Sequence, residues 1–395
     1  MSRHPGMRRA PWLLLVLAAA MRSFGCAVTP VPGRDGTAYL WMAEQWSDGD
    51  WHGLFATVFH PLYPVLVGAV SWCAPDLDIV LRGQIASALP ATIAILPLWC
   101  VAARLFDERA AFWTCLAYAI GNWFVRHPAD CMSEGPFYLL AIGWACLLLA
   151  DRRRPALAGL TGGLAFLARP EGAVLIAIGA GHLLGNGARR AALSHFGVGV
   201  AVMALQPLGA FAAGRELLLT PKAGFNWSVG AGGADDPFVY YAEQWLRLPG
   251  DAWEGIGYLA FPLAIAGAIR FRPRRLADPR WCLLLPLAAQ CAIVPLLKSH
   301  HRFVSGFAIL LLPFAGAAIA STTSWLRGRH RAWPAIVLLL LIGSEAKLLV
   351  DWPADRTIER DLGRWLRTER SPPQIVASDM PRLVFFAGLP PPPPR

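Results

Sequence analysis

The sequence predicts an all-α membrane protein that crosses the bilayer many times. Hydrophobic residues make up 55% of the 395 residues, charged residues make up only 16%, and the mean hydropathy is +0.43. A soluble domain carries about 25% charged residues. Apolar segments near the length of a bilayer crossing recur along the whole chain, and the charged residues collect between them. These observations together predict a polytopic fold of about 11–12 transmembrane helices.

The apolar segments give the order of the predicted helices. They lie at residues 11–29, 61–75, 84–103, 110–125, 133–150, 156–168, 171–186, 192–213, 254–269, 281–297, 303–320 and 332–350. The segment 61–75 is short beside the roughly 20 residues of a crossing, and a full crossing there breaks the alternation of the loops. We therefore expect a re-entrant or interfacial helix at this segment, which leaves about 11 true spans.

Basic residues between the segments predict the orientation in the membrane. Cytoplasmic loops carry an excess of Lys and Arg, so the basic clusters are expected in the cytoplasm. The clusters are Arg8 and Arg9, Arg104 and Arg109, Arg152 to Arg154, Arg189 and Arg190, Arg270 to Arg280, and Arg327 to Arg331. The loops expected outside are 30–60, 126–132, 169–170, 214–253 and 298–302, with the tail after residue 350. The net charge of +10 is then a topology signal, and no soluble basic domain is present to bind nucleic acid.

The sequence divides into a transmembrane domain, residues 1–350, and a small extracytoplasmic C-terminal segment, residues 351–395. Within the first part, residues 30–60 form external loop 1. The glycine-rich stretch 214–253 is too long for a simple turn, and we expect an external flap with a short amphipathic helix near residues 240–248. The C-terminal segment predicts a helix, a proline turn, the strand-like "QIVAS", a second apolar piece and a stiff polyproline end.

Charged residues at the edges of the apolar segments are candidates for function, because ionisable groups at membrane depth are costly. Asp35 lies in "GRDGTAYLWMAEQW", flanked by glycine and followed by an aromatic amphipathic helix. A carboxylate there can act as a general base on an acceptor hydroxyl. The alternative is that Asp35 caps this helix on a solvated loop. Glu44, further along the same helix, is expected to be solvated.

Two further clusters lie just before apolar segments. His60 opens "HPLYPVLVG", where an interfacial helix start is the alternative interpretation. His127, Asp130 and Glu134 lie in "RHPADCMSEGPFYLL", where Asp130 and Ser133 are alternatively caps of the following helix. Glu134 lies deeper in that helix, and a capping role accounts for it less well.

Basic residues complete this set of candidates. Arg169 and Glu171 interrupt an otherwise continuous apolar stretch in "ARPEG", where a tight hairpin with these two residues paired is the alternative. His301 and Arg302 belong to the basic group "KSHHR". Arginine binds phosphate in bidentate fashion, and cations of this kind stabilise the charge on a leaving phosphate. Carboxylates and cations at the outer ends of several helices suit transfer from a lipid-phosphate donor in the outer leaflet.

The sequence predicts no metal site. No Cys-x-x-Cys or Cys/His spacing of a zinc site occurs, and the eight cysteines fall mostly inside apolar segments, where cysteine behaves as a small hydrophobe. A divalent cation is left open as a cofactor, without support from the residues.

The order of these motifs resembles the GT-C glycosyltransferases of the bacterial kind that are related to protein mannosyltransferases and lipid A aminoarabinose transferases. The resemblance covers roughly residues 30 to 320. The motifs that carry it, in chain order, are "RDGTAYLWMAEQWSDGDW", "HPLYPVLVGAV", "LRGQIASALPATIAILPLWCVAARLFDERAAFW", "CMSEGPFYLL", "GLTGGLAFLARPEG" and "HHRFVSGFAILLLPFAG".

The resemblance implies an inverting transferase that uses a polyprenyl-phosphate-linked sugar donor at the extracytoplasmic face of a bacterial inner membrane. It places Asp35 where the family has its base, favours Glu134 over Asp130 as the second acidic position, and makes Arg169 and Glu171 candidates. Gly36 stands where relatives with a paired acidic motif carry a second carboxylate, which counts against a metal. The acceptor, whether lipid, protein or glycan, is left open.

Two other classes of protein remain as alternatives. A transporter or lipid flippase needs ionisable groups near mid-membrane and paired broken helices, whereas the charges here cluster at one surface. A membrane scaffold that keeps the fold without the chemistry is the third interpretation, because Asp35 lacks a neighbouring carboxylate at Gly36.

Overall fold

A computed structural model describes residues 9–150, 154–229, 234–275, 277–297, 300–327, 332–345, 355–368 and 380–389. These residues form α-helices joined by short connections and one 3-10 helix, Trp51–Phe55, and no β-strand occurs among them. The predicted all-α fold class is therefore confirmed. The strand-like "QIVAS" and the polyproline end lie outside the described residues.

In the first half of the chain, the described residues form eleven α-helices. They are α1 (Ala10–Ala27), α2 (Arg34–Ser47), α3 (Leu62–Cys73), α4 (Ile79–Ile93), α5 (Ile95–Leu105), α6 (Glu108–Ile120), α7 (Asn122–Ala129), α8 (Glu134–Leu148), α9 (Pro155–Ala168), α10 (Gly172–Gly185) and α11 (Arg189–Met203). The predicted re-entrant segment corresponds to α3, which has only 12 residues.

The second half continues the helical pattern in the described residues. Its helices are α12 (Leu205–Ala212), α13 (Pro221–Val229), α14 (Pro237–Ile256), α15 (Ala260–Arg270), α16 (Trp281–Leu297), α17 (His301–Ser305), α18 (Ala308–Arg327), α19 (Trp333–Ser344), α20 (Asp355–Thr368) and α21 (Pro381–Phe386). The predicted flap contains α13 and α14, and α14 is much longer than the short helix expected near residues 240–248.

Several helices are apolar enough to cross a membrane. By length and composition, four described helical stretches qualify, namely Ala10–Ala27, Ile79–Leu105, Arg189–Ala212 and Ala308–Trp325, and a fifth if α14 and α15 form one bent span. Six shorter apolar helices, of 10–17 residues, accompany them. The protein is thus a multi-pass membrane protein, while the total of about 11 spans stays a prediction.

Close helix packing in the core depends on small residues. Helix α18 packs against α6 and α15. A Cβ atom on Gly316 would lie 2.1 Å from Oγ1 of Thr114, and one on Gly267 would lie 2.1 Å from the carbonyl oxygen of Phe314. Glycines at such positions let membrane helices approach closely. This packing forms the frame from which the functional side chains project.

The C-terminal helices pack on the end of the bundle near external loop 1. Helices α20 and α21 contact each other, and α21 contacts α2. Arg356 forms an ion pair with Asp130. Nε of Arg382 donates to the carbonyl oxygen of Pro32 at 2.9 Å. The described part of the C-terminal segment is thereby tied to the loops that carry the candidate site.

Candidate functional site

The start of α2 presents Asp35 at one end of the helix bundle. Gly33 is the N-cap residue and makes no side-chain cap hydrogen bond, so the alternative interpretation of Asp35 as the helix cap is wrong. The backbone N–H of Gly33 donates to the carbonyl oxygen of Asp130 at 3.0 Å, which pins this helix start to the turn before α8. Asp35 lies in the first turn, where the helix dipole favours a carboxylate.

A strained turn places Glu134 at the start of α8. Cys131 adopts a φ of 57°, which non-glycine residues rarely adopt. Helix α4 holds this turn, because Ser87 Oγ donates to the carbonyl oxygen of Met132 at 2.6 Å and Gln84 Nε2 donates to that of Ala129 at 3.0 Å. The Glu134 side chain that follows is fully buried.

The hairpin between α9 and α10 supplies Arg169. Gly172 permits the turn, since a Cβ atom there would lie 2.1 Å from the backbone nitrogen of Phe166. The predicted alternative pairing exists, because Nη2 of Arg169 lies 2.9 Å from Oε1 of Glu171. Arg169 also forms an ion pair with Glu134 through Nη1, so the hairpin pair is one part of a larger cluster.

Arg302, in the short helix α17, joins the two acidic residues of the site. Its Nη1 lies 2.5 Å from Oδ2 of Asp35, and its Nε lies 2.6 Å from Oε1 of Glu134. Asp35, Arg302, Glu134, Arg169 and Glu171 therefore form a chain of alternating charge, although they come from distant parts of the sequence.

Several polar atoms of this cluster lack hydrogen-bond partners within the described residues. They are Nη2 of Arg302, Nε of Arg169, Oε2 of Glu134 and Oε2 of Glu171, and all are buried. Buried polar atoms are normally paired. The unused guanidinium N–H groups can donate hydrogen bonds to an anionic ligand. The accessible carboxylate of Asp35 beside them can accept a hydrogen bond from the hydroxyl group of a second ligand.

Lys222, from helix α13 of the flap, is a cation of the site that the sequence did not reveal. Its Nζ lies 4.8 Å from the ring centroid of Phe59 and 5.7 Å from that of Phe303, and the residue is 8% exposed. One available signal was its rarity, since the chain has only three lysines against 33 arginines. No local pattern indicated that the flap folds onto Asp35.

The charges around Asp35 and Lys222 shift the pKa of both groups. Burial acts to raise the pKa of Asp35, but the Arg302 guanidinium and then the Lys222 ammonium lower it by more, so it lies below its ordinary value. The Asp35 side chain is still 34% exposed. Burial, followed by repulsion from Arg302 and Arg169, lowers the pKa of Lys222 to about 8.

Two predicted histidines lie beside the cluster as neutral groups. Burial lowers the pKa of His60 to about 4 and that of His127 to about 3. Nδ1 of His60 lies 2.6 Å from the carbonyl oxygen of Phe166, and Nδ1 of His127 lies 2.8 Å from the Tyr138 hydroxyl. At neutral pH the positive charge of the site therefore comes from Arg169, Arg302 and Lys222.

The structure places two other predicted residues apart from this charge chain. The Asp130 carboxylate faces Arg356 of α20. The His301 ring stacks on Trp123 at 4.4 Å between centroids, and its Nδ1 lies 3.8 Å from Oε2 of Glu254. Although His301 directly precedes Arg302, their side chains contact different groups.

Packing explains why Gly36 follows Asp35. A Cβ atom on Gly36 would lie 2.4 Å from the carbonyl oxygen of Asp130, so a second carboxylate does not fit at this position. Both Asp35 and Glu134 bind Arg302, and the described residues contain no group of three His, Cys, Asp or Glu side chains that could hold a metal ion. The two carboxylates of the site are thus bound by a cation of the protein itself.

A cavity of about 200 Å³ adjoins the charged cluster. Glu171, Thr220 and Lys222 lie in its lining, and Val174, Ile293 and Val294 form apolar parts of its wall. The cavity therefore combines a cation with a hydrophobic surface, as an amphiphilic anion requires.

The all-helical membrane bundle has the GT-C type of fold, because it is similar to solved structures of this type. Residues 81–209 match the family model described as dolichyl-phosphate-mannose-protein mannosyltransferase. No curated protein matches the sequence significantly. The GT-C fold that the sequence motifs indicated is therefore confirmed, while the family match covers residues 81–209.

Two solved structures illustrate the similarity of the fold. ArnT from Cupriavidus metallidurans, bound to undecaprenyl phosphate, superposes with a TM-score of 0.63 and 16% identity over 96% of this chain and 84% of that chain. The Archaeoglobus fulgidus oligosaccharyltransferase complex with Zn and sulfate gives a TM-score of 0.55 at 16% identity, over 90% of this chain. The chain spans 55% of the length of that oligosaccharyltransferase.

Proposed function

We propose that the protein is an inverting glycosyltransferase of the bacterial cytoplasmic membrane, which transfers a sugar from a polyprenyl-phosphate donor at the extracytoplasmic face. The observation that carries this proposal is the meeting of one accessible carboxylate, Asp35, with three cations, Arg169, Arg302 and Lys222, beside an apolar cavity. The mannosyltransferase family match and the undecaprenyl phosphate bound to the ArnT of C. metallidurans support the donor class.

The donor phosphate would bind where the cations converge. Arg302 has an unused Nη2 and Arg169 an unused Nε within the described residues, and Lys222 lies in the lining of the cavity. The apolar wall of the same cavity suits the first isoprene units of the donor. Charge-assisted hydrogen bonds from guanidinium to phosphate are among the strong ones in proteins.

The transfer is a single displacement at the anomeric carbon. The acceptor hydroxyl oxygen forms a bond to this carbon while the bond from the carbon to the phosphate oxygen breaks, and its electron pair stays on the phosphate. Asp35 takes the proton of the acceptor hydroxyl. The cations stabilise the charge that develops on the leaving phosphate, and the products are the glycosylated acceptor and polyprenyl phosphate.

Binding of the donor would also prepare Asp35 as a base. In the structure Arg302 holds the carboxylate and lowers its pKa, which makes it a weak proton acceptor. A phosphate that draws Arg302 away removes the main partner that lowers this pKa. The pKa of Asp35 then rises toward the range in which a carboxylate removes a proton more effectively.

Glu134 has a supporting role in this mechanism. It is buried and contacts both guanidinium groups through Oε1, so it orients Arg169 and Arg302. Glu171 supports Arg169 in the same way. His60 and His127 are neutral, and we assign them hydrogen bonds to the sugar or to neighbouring groups, while His301 and Asp130 border the site.

A transporter or flippase makes a different prediction. Transporters pair broken helices across two related halves, whereas the described residues contain one sharply bent pair, α14 and α15, with a bend of 101°.

Transfer in proteoliposomes tests the proposed function. With labelled donor and a cell-envelope extract, we expect labelled acceptor together with free polyprenyl phosphate. Movement of intact donor across the bilayer, without cleavage of the sugar–phosphate bond, would favour a flippase and contradict the proposed function.

A further inference from the structure

A buried arginine lies within the first helix of the bundle, on a different helix from those of the charge cluster. Arg22 belongs to α1, one of the helices long and apolar enough to cross a membrane, and only 1% of it is exposed. Ionisable residues within membrane helices are rare, and their cost usually indicates a function or a specific partner.

The arginine side chain does not extend toward the nearer end of its helix. Its Nη1 donates to the carbonyl oxygen of Ala18, one turn back along α1, at 3.1 Å. The end of α1 at Ala27 lies five residues ahead, about 7.5 Å along the axis. Arginines near helix ends normally extend their charged group toward water. Arg22 points the other way, toward Ala18, so contact with water does not explain the direction of its side chain.

The positive charge of Arg22 is only partly compensated. The Tyr118 ring centroid lies 4.7 Å from the guanidinium carbon, a cation–π contact. Nε and Nη2 make no hydrogen bond of normal geometry within the described residues, and no acidic side chain among them forms an ion pair with Arg22. A buried charge requires an opposite charge or further hydrogen bonds.

Arg22 forms part of the lining of a cavity of about 430 Å³ between α1 and α4, which we name the α1–α4 groove. Its walls include Ala19, Ile85, Ala88 and Leu89. Leu89 is 58% exposed, as expected for a groove that opens toward the bilayer. The groove therefore has apolar walls suited to a hydrocarbon chain and one cation without an acidic partner among the described residues.

We propose that the α1–α4 groove binds an anionic phospholipid of the bilayer. The phosphodiester accepts hydrogen bonds from the unused N–H groups of Arg22, and one acyl chain lies between α1 and α4. A phosphodiester carries a single negative charge, which matches the single cation of the groove. Polyprenyl phosphate, which the proposed transfer releases, is a phosphate monoester with a charge of about −1.5 to −2, and it matches the three cations of the candidate active site better. The proposal goes beyond glycosyl transfer and does not depend on it.

Lipid binding to the purified protein tests this proposal without an activity assay. Native mass spectrometry would compare retention of phosphatidylglycerol, zwitterionic phosphatidylethanolamine and polyprenyl phosphate on wild type, Arg22→Gln and Ala88→Phe. Ala88→Phe fills the groove but keeps the charge. Arg109→Gln is the matched control, because Arg109 lies on α6 and donates to Ser324 Oγ.

We expect wild type and Arg109→Gln to retain phosphatidylglycerol in preference to phosphatidylethanolamine. Arg22→Gln should retain roughly tenfold less phosphatidylglycerol, because a charge-assisted hydrogen bond is lost. Ala88→Phe should also retain less of it, because the phenyl ring occupies the space of the acyl chain. If Arg22→Gln does not fold, Ala88→Phe and the wild-type headgroup preference decide the question. Equal retention of the two phospholipids by wild type would overturn the proposal. So would unchanged retention by Ala88→Phe, or preferential occupation of the groove by polyprenyl phosphate.

Discussion

The side chains around Asp35 alternate in charge, and this arrangement determines what the site can do. Arg302 forms ion pairs with both Asp35 and Glu134, and Arg169 forms a second ion pair with Glu134. Because each anion has a cationic neighbour, the buried charges stabilise one another. In the proposed mechanism, an incoming phosphate would compete with Asp35 and Glu134 for cations that are already in place.

Individual residues of the site could be predicted because charged residues are conspicuous in an apolar chain. Asp35, Glu134, Arg169 and Arg302 all lie at the edges of apolar segments, where the sequence alone shows them. Lys222 could not be predicted in the same way, because its role depends on how the flap folds over the site. The pairing of Arg169 with Glu171 was an alternative that the sequence offered. The pairing of Arg302 with Asp35 and Glu134 was beyond the sequence, since these partners lie far apart along the chain.

Lys222 gives the site a dependence on pH. Its pKa of about 8 means that it is charged below pH 8 and becomes neutral as the pH rises through this value. We expect donor affinity to fall above pH 8, and Lys222→Gln to weaken donor binding about ten- to hundredfold at pH 7, since a hydrogen bond to a charged group is lost.

The measurement is the donor dissociation constant from pH 6.5 to 9.5. Lys222→Arg is the matched control, because it keeps the charge over this range and should remove the alkaline loss of affinity. Wild-type affinity and an unchanged pH profile in Lys222→Gln would refute the role given to Lys222.

At the scale of the elements, the site depends on the turn before α8 and the start of α2. The two segments contact through the backbone, with Gly33 bonded to the Asp130 carbonyl and Gly36 packed against the same oxygen. The sequence predicted a glycine-flanked acid but not this contact. The sequence alone therefore could not explain why a glycine stands at position 36 instead of a second carboxylate. The reason is steric, because a larger side chain at this position would meet the Asp130 carbonyl oxygen.

Helix existence was easier to predict than helix length. Hydrophobic segments correspond to helices through most of the described chain, and the short segment 61–75 indeed forms a short helix, α3. Helix α14 runs from Pro237 to Ile256, because its amphipathic pattern continues past the point where the sequence turns apolar. Prolines and glycines made the boundaries hard to place.

Gly36→Ala is expected to destabilise the protein. The added methyl group would lie 2.4 Å from the Asp130 carbonyl oxygen, so α2 or the turn must shift, at a cost of about 1–3 kcal/mol. Thermal unfolding in detergent measures this loss. The control is Gly181→Ala in α10, where a Cβ atom has no neighbour within 4 Å. An unfolding midpoint equal to that of wild type for Gly36→Ala would contradict the packing argument.

At the scale of the whole molecule, fold and function were predictable to different extents. Composition and hydrophobic segments are sufficient for an all-helical membrane protein, because the bilayer permits few other solutions. The order of six motifs then indicated the GT-C fold. The sugar and the acceptor were not predictable, since they depend on the shape of a site formed by several distant segments.

The orientation of the molecule follows from its arginines and stays a prediction. The basic clusters of the loops place the ends of α2, α8 and α10 that carry the site outside the cytoplasm. A glycosyltransferase with the predicted orientation would receive its lipid-linked donor and its acceptor at the outer face. Both orientation and chemistry can therefore be tested in intact cells.

The most direct test of the account uses sealed, right-side-out spheroplasts given a labelled short-chain polyprenyl-phosphate sugar from outside. We expect wild type to transfer label to envelope material, and Asp35→Asn to lower the rate about a hundredfold or more through loss of the general base. Asp48→Asn, at the exposed far end of α2, should keep the wild-type rate. Undiminished transfer by Asp35→Asn, or transfer by wild type only after the membrane is opened, would contradict the account.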